Sequence, residues 1–151
     1  MNDDLGDLYQ EIILEHSKAP RNYRKPATAN QEAEGFNPLC GDRCTVYLDL
    51  EDGAIKDIGF EGSGCAISRA SASMMTQTVK GKSRAEAEKI FNQFHKLVTG
   101  EGDAISKAAE LGKLAAFAGV SKFPARVKCA TLAWHTLQSA LLGTHEPVST
   151  E

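Results

Sequence analysis

The stretch Cys44-Thr45-Val46-Tyr47-Leu48-Asp49-Leu50, followed one residue later by Asp52-Gly53, constrains this chain more than any other feature. Cys44, Val46, Leu48 and Leu50 alternate with Thr45, Tyr47 and Asp49, the two-residue period of a half-buried strand. Asp-Gly is the two-residue signature of a tight hairpin. A return strand is therefore expected over about Ile55 to Glu61, with Ile58 and Phe60 on its buried face. An antiparallel pair needs something to cover its apolar face, and the rest of the sequence supplies helices. Apolar spacing from Leu5 to about Ala19 is helical, through Leu5, Leu8, Tyr9, Ile12 and Ile13, and Pro20 ends it. A helix is expected over about Ala66 to Lys80, closed by Gly81. Ser83 and Glu86 form a capping box. It opens a helix with the stripe Ala87, Ile90, Phe91, Phe94, Leu97 and Val98, and Gly100 stops it. A shorter helical stretch is expected near Ala104 to Ala118, and a last helix from Pro124, a first-turn proline, to about Leu142. Arg21 to Asn37 reads as loop with one weak edge strand. The fold class is α+β, a small antiparallel β-sheet with helices packed on it, in a single domain over residues 1–151 with a frayed tail at about 143–151.

Composition narrows the function. The 151 residues suffice for one core, and a formal charge of −3 argues against nucleic acid as a partner. No apolar run approaches the roughly 18 residues of a membrane span. The acidic start MNDDLGDLYQ lacks the pattern of a signal peptide. A cytoplasmic protein without membrane partners is expected, so its four cysteines are expected as thiols.

Three of those cysteines stand where secondary structure changes. Cys40 precedes Gly41 in the loop that feeds the first hairpin strand. Cys65 follows Gly62-Ser63-Gly64 at a helix start, where unpaired N–H groups favour a thiolate. Cys129 lies early in the last helix beside Lys128 and near Arg126. If these elements converge, three sulfurs meet, and Asp42, two residues after Cys40 across a flexible glycine, is the natural fourth ligand. Three thiolates and a carboxylate form a tetrahedral set that suits Zn²⁺. Spacing leaves two readings open, a shared metal site and separate structural thiols, because no Cys-x-x-Cys pair is present. Cys44 is expected in the core and turned away from Asp42. His16, His95, His135 and His145 are assigned structural or solvated roles, His95 on the polar side of its helix. Met74-Met75 is assigned to packing. There is no phosphate-binding loop, dinucleotide fingerprint or serine-hydrolase elbow.

The stretches NPLCGDRC, FEGSGCAISRASASMMTQTVKGK and GVSKFPARVKCATLAW, with the opening LYQEIILEHSKAPRN, resemble the U-type iron–sulfur cluster assembly proteins, the family of IscU, SufU and the N-terminal domain of NifU. The resemblance runs from Leu5 to Leu142 and implies a SufE/NifU-like fold. It also implies that Cys40, Asp42, Cys65 and Cys129 converge on one metal site. Lys128 stands where the IscU branch has histidine, and the stretch Gly100 to Val120 is longer than in that branch. Both features match the SufU branch. For that branch the resemblance implies bound zinc and sulfur taken from a SufS-type cysteine desulfurase. A desulfurase histidine would replace Cys40 on zinc, and Cys40 would accept persulfide sulfur with Arg126 in support. Downstream partners would be a cluster scaffold or apo-proteins. Such a protein is at most a zinc-dependent sulfurtransferase that works with its desulfurase, not a stand-alone catalyst. The alternative is a scaffold that holds iron or an iron–sulfur cluster at the same ligands and transfers the cluster to apo-proteins.

Overall fold

A computed structural model of the chain describes residues 2–38, 41–101, 108–143 and 148–149, with side chains over 10–38, 41–101 and 111–143. The elements are α1 (Asn2–Lys18), β1 (Gln31–Asn37), β2 (Asp42–Glu51), β3 (Ala54–Ser63), α2 (Ala66–Val79), α3 (Arg84–Thr99), a 3-10 segment (Ala108–Lys122), α4 (Pro124–Leu142) and β4 (Val148–Ser149). The expected hairpin is β2–β3. Asp52 and Gly53 both take positive φ, 53° and 78°, the turn form whose twist matches that of paired strands. Pairing then runs outward from the turn to Arg43 opposite Ser63, with one irregularity at Asp49/Leu50.

Arg21 to Asn37 is more ordered than its polar sequence suggests. Residues 31–37 form a full strand, β1, paired antiparallel with β2 from Gln31↔Leu48 to Asn37↔Asp42. The loop before it lies over the other side of the hairpin. Thr28 donates a hydroxyl hydrogen bond to Asp49 at 2.8 Å, and the Lys25 ammonium sits 5.4 Å above the Tyr47 ring. Tyr47 and Asp49, expected to face outward, are therefore buried. Tyr47 also donates a hydrogen bond to Glu61 at 2.8 Å. Tertiary cover outweighs the polar half of the alternation. Within the stretch read as a frayed tail, Val148 and Ser149 add a short parallel strand beside Gly35 and Phe36. The sheet order is β3-β2-β1-β4.

Helices α2 and α4 pack on the opposite sheet face; α1 lies on α2, and α3 on α4 and the 3-10 segment. Helix α4 crosses β1 at Gly35, where a Cβ would stand 2.2 Å from Thr136 Oγ1. Any larger residue would push the helix off the sheet. Val46, Leu48, Ile58 and Phe60 from the sheet meet Met74 and Met75 from α2 and Leu132, Trp134 and Leu137 from α4. Each large side chain so buried contributes roughly 2–3 kcal/mol from apolar surface removed from water. Ile12 and Ile13 of α1 pack against this core; Leu5, Leu8 and Tyr9 lie outside the described side chains.

The capping box of α3 is present in both directions, and Ala87, Phe91, Phe94, Leu97 and Val98 are buried as its stripe requires. Gly100 and Gly143 end α3 and α4 in the left-handed conformation. Pro124 occupies the first turn of α4. The stretch expected as helix near Ala104 to Ala118 is, over its described part, a 3-10 segment that continues to Lys122 and breaks at Gly112.

Candidate metal centre

The pairing that shapes the sheet also builds one end of it. The hairpin turn fixes the far end of β2–β3, so the start of β2 and the exit of β3 lie side by side, with Cys44 opposite Gly62 and Arg43 opposite Ser63. One step beyond, Asp42 meets Gly64 and Cys65. The Cys65 amide donates to Asp42 Oδ1 at 2.9 Å, and the Cys65 thiol lies 3.8 Å from Asp42 Oδ2. Gly64 is required for this approach. A Cβ there would stand 2.5 Å from Asp42 Oδ1, closer than real Cβ contacts come. The carboxylate is thus laid into a cradle of bare backbone.

Cys65 is the N-cap of α2, and its sulfur accepts the Ser68 amide hydrogen at 3.5 Å. A sulfur in the place usually held by a serine or aspartate oxygen sits at the positive end of the helix dipole. Cys129 arrives from the other side. On α4, positions 129, 132 and 136 share a face, and Leu132 and Thr136 are the residues that press on Gly35. One turn earlier, that face brings Cys129 to the end of β1, where the Asn37 side-chain amide donates to its sulfur at 3.8 Å.

The ligand atoms of Asp42, Cys65 and Cys129 all lie within 4.8 Å of one another. Asp42 and Cys129 are fully buried and Cys65 is partly exposed. Bond lengths of about 2.0–2.3 Å put neighbouring donors of a tetrahedral zinc ion roughly 3.3–3.8 Å apart. The three donors need only a small contraction, and the two thiols and carboxylate suit that ion's chemistry. The residues present fit zinc.

Of the four residues expected at the site, the structure brings together Asp42, Cys65 and Cys129. Cys40 lies outside the described residues. Arg126 is exposed in the first turn of α4, three residues before Cys129, and Lys128 is half-buried. Cys44 faces the core as expected, and burial pushes its thiol up to about 12. The expectation that it turns away from Asp42 needs correction. Asp42, Cys44 and Val46 are all buried on alternate positions of β2, so Cys44 shares a strand face with Asp42, one residue pair deeper in the core.

The histidines have other tasks. Buried His16 pairs through Nδ1 with the Ser73 hydroxyl at 2.7 Å, and Ser73 also accepts the Arg21 amide hydrogen at 2.8 Å. His95 is not on a polar face. It is half-buried, its ring 6.0 Å from that of His135, and both rings stand edge-on to Phe91 between α3 and α4. His145 lies outside the described residues.

A profile of the NifU-like N-terminal domain matches residues 8–141. The chain belongs to this family. It is 41% identical over 140 residues to the zinc-dependent sulfurtransferase SufU of Bacillus subtilis, covering 93% of each chain. It is 40% identical over 137 residues to the iron–sulfur cluster assembly scaffold protein IscU of Streptococcus pyogenes serotype M1, covering 91% of this chain and 84% of the relative. A crystal structure from Fervidobacterium islandicum, described as an iron–sulfur cluster assembly scaffold protein for the SUF system, superposes with a TM-score of 0.78. It is 35% identical in sequence and covers 87% of this chain and 94% of that one. These similar proteins are thus named for sulfur transfer and for iron–sulfur cluster assembly. Among the described residues no helix is long and apolar enough to cross a membrane.

Sequence reasoning misses Asn37. It has a usable signal for the closeness of Asp42 and Cys65, the hairpin register counted outward from Asp52-Gly53. It has none for the amide that reaches Cys129 from the last residue of β1.

Proposed function

We propose that this NifU-like domain is a zinc-containing sulfur acceptor that takes persulfide sulfur from a SufS-type cysteine desulfurase and passes it on for cluster building. The convergence of Asp42, Cys65 and Cys129 within 4.8 Å carries the reading, and Lys128 beside Cys129 separates it from a scaffold whose ligands include a histidine there. Asp42, Cys65 and Cys129 would hold the zinc together with Cys40. When bound, zinc keeps the thiols deprotonated and shielded from oxidation.

The chemistry asked of the chain is a thiolate exchange. The Cys40 thiolate attacks the outer sulfur of the desulfurase persulfide. A sulfur–sulfur bond to Cys40 forms as the one to the desulfurase cysteine breaks, and that cysteine leaves as a thiolate. Sulfur moves without its bonding electrons, so no outside oxidant or reductant is needed. Asp42 and Cys129, both buried, hold the site's geometry, whereas the side open to solvent is that of Cys65. Arg126, exposed at the start of α4, would meet a docking partner or the charge of a freed thiolate.

Protein purified without oxygen and without reconstitution should contain about one zinc per chain. Incubation with a desulfurase and cysteine should then load a persulfide that Cys40→Ala abolishes. Undiminished loading in that variant removes Cys40 from the role. A second reading, a scaffold, draws on the similarity to the Streptococcus relative. Iron with acid-labile sulfide in the purified protein, transferable to an apo acceptor, would favour it over sulfur carriage.

A further inference from the structure

Asn37 stands between two of the three donors of the site, Asp42 and Cys129. It is the last residue of β1 and pairs with Asp42 in the sheet register. Its backbone carbonyl accepts the Gly41 amide hydrogen at 2.8 Å, next to Asp42. Its side chain has no exposure to solvent, and its amide nitrogen lies 3.8 Å from the sulfur of Cys129, which is also fully buried. A buried side-chain amide is costly unless it is partnered, so such a group persists where its hydrogen bonds are used. One of them is spent here on a sulfur.

We infer that Asn37 is a positioning residue for metal binding, which holds the Cys129 sulfur as a ligating thiolate and keeps it the fixed anchor of the site. The inference rests on the zinc reading above. An N–H donated to a thiolate stabilises the negative charge that metal binding requires and orients the sulfur lone pairs that remain. It also withdraws electron density from that sulfur and lowers its nucleophilicity. Cys65 receives its own amide donor from Ser68 within α2. Cys129 sits past the first turn of α4, and α4 offers its sulfur a carbonyl, that of Ala125 at 3.8 Å. That carbonyl suits a protonated thiol and repels a thiolate. A donor that suits Cys129 as an anion comes from a strand 92 positions away in sequence.

The test uses the full chain loaded with zinc or, for its spectrum, cobalt(II). Affinity is read by competition with a chromophoric chelator. The variants are Asn37→Asp, which keeps the shape and removes the donor, Asn37→Ala, and Asn37→Gln, which keeps an amide. The expected result is a 10- to 100-fold loss of zinc affinity in Asp and Ala, the range typical of partners that orient a metal ligand, with Gln closer to wild type. The thiolate-to-cobalt charge-transfer band should shift in Asp and Ala, a readout that lost packing alone would not move. In a Cys129→Ser background, Asn37→Ala should cost nothing further. Unchanged affinity and an unchanged band in Asn37→Asp would overturn the inference, as would an undiminished effect of Asn37→Ala in the Cys129→Ser background. Circular dichroism of the metal-free variants identifies any that fail to fold; the Cys129→Ser cycle then decides among those that do. A wild-type protein that binds neither metal would overturn the zinc reading itself, which distinguishes the two failures.

Discussion

Cys44 and Cys129 are both buried thiols in the same core, 5% and 0% exposed, yet they stand in opposite chemical situations. Cys44 sits in β2 against Gly35 and Gly62, and burial raises its thiol to about 12. Among the described residues nothing there rewards losing the proton, so it is a small hydrophobe. Cys129 is no more exposed, but it faces a carboxylate, a second sulfur and an amide donor. Burial alone therefore does not separate a structural cysteine from a ligand. What the sulfur meets decides it, and two residues on one strand face, Asp42 and Cys44, fall on either side of that line.

The sharpest way to break this contrast is Cys129→Ser. Zinc affinity should fall by more than about 100-fold, beyond the effect of losing a supporting partner, in chelator competition on the full chain. A fall no larger than that of Cys44→Val would erase the distinction between the two thiols. Gly64→Ala comes next, because it leaves every donor in place and removes only the cradle. The new Cβ cannot stay 2.5 Å from Asp42 Oδ1. Zinc affinity should drop about 10-fold and the metal-free protein should lose roughly 1–3 kcal/mol in denaturant unfolding.

Two buried or half-buried histidines extend the comparison to pH. His16 is lowered from its ordinary 6.5 mainly by burial and then by Arg21, and His135 by burial and then by His95. The unfolded chain therefore takes up these protons at higher pH than the folded one. Their contribution is complete above about 6.5 and is lost as pH falls from there toward the lowered folded values. Thermal midpoints of metal-free protein should drop between pH 7 and pH 5, and less steeply in His16→Gln with His135→Gln. An equal slope in that double variant would contradict the assignment. The smallest effect is expected for Cys44→Val. Metal content should not change, and stability should move by less than about 1.5 kcal/mol, as for swaps that conserve volume and polarity.

Several elements are legible in the residues themselves. The β2–β3 hairpin, the capping box at Ser83, the buried stripe of α3 and the start of α4 at Pro124 all rest on signals within a few residues of one another. The three cysteines can be named for the same reason, since each stands at a local change of structure. β1 is harder to read because its polar residues Glu32 and Glu34 line an exposed face, and only pairing with β2 makes it a strand. Periodicity misplaces His95 because α3 has a second neighbour, the ring of His135 on α4.

Local sequence is enough to set where strands turn, where helices start and stop, and which thiols stand at those joints. Each depends on backbone sterics and hydrogen bonds that span a handful of residues. Tertiary packing is what brings Asp42, Cys65 and Cys129 to one point, leaves Cys44 beside them without joining, and sets Asn37 against Cys129. Those facts depend on strand register and on α4 seating over Gly35, and that seating is set by close packing between segments some hundred residues apart in the chain.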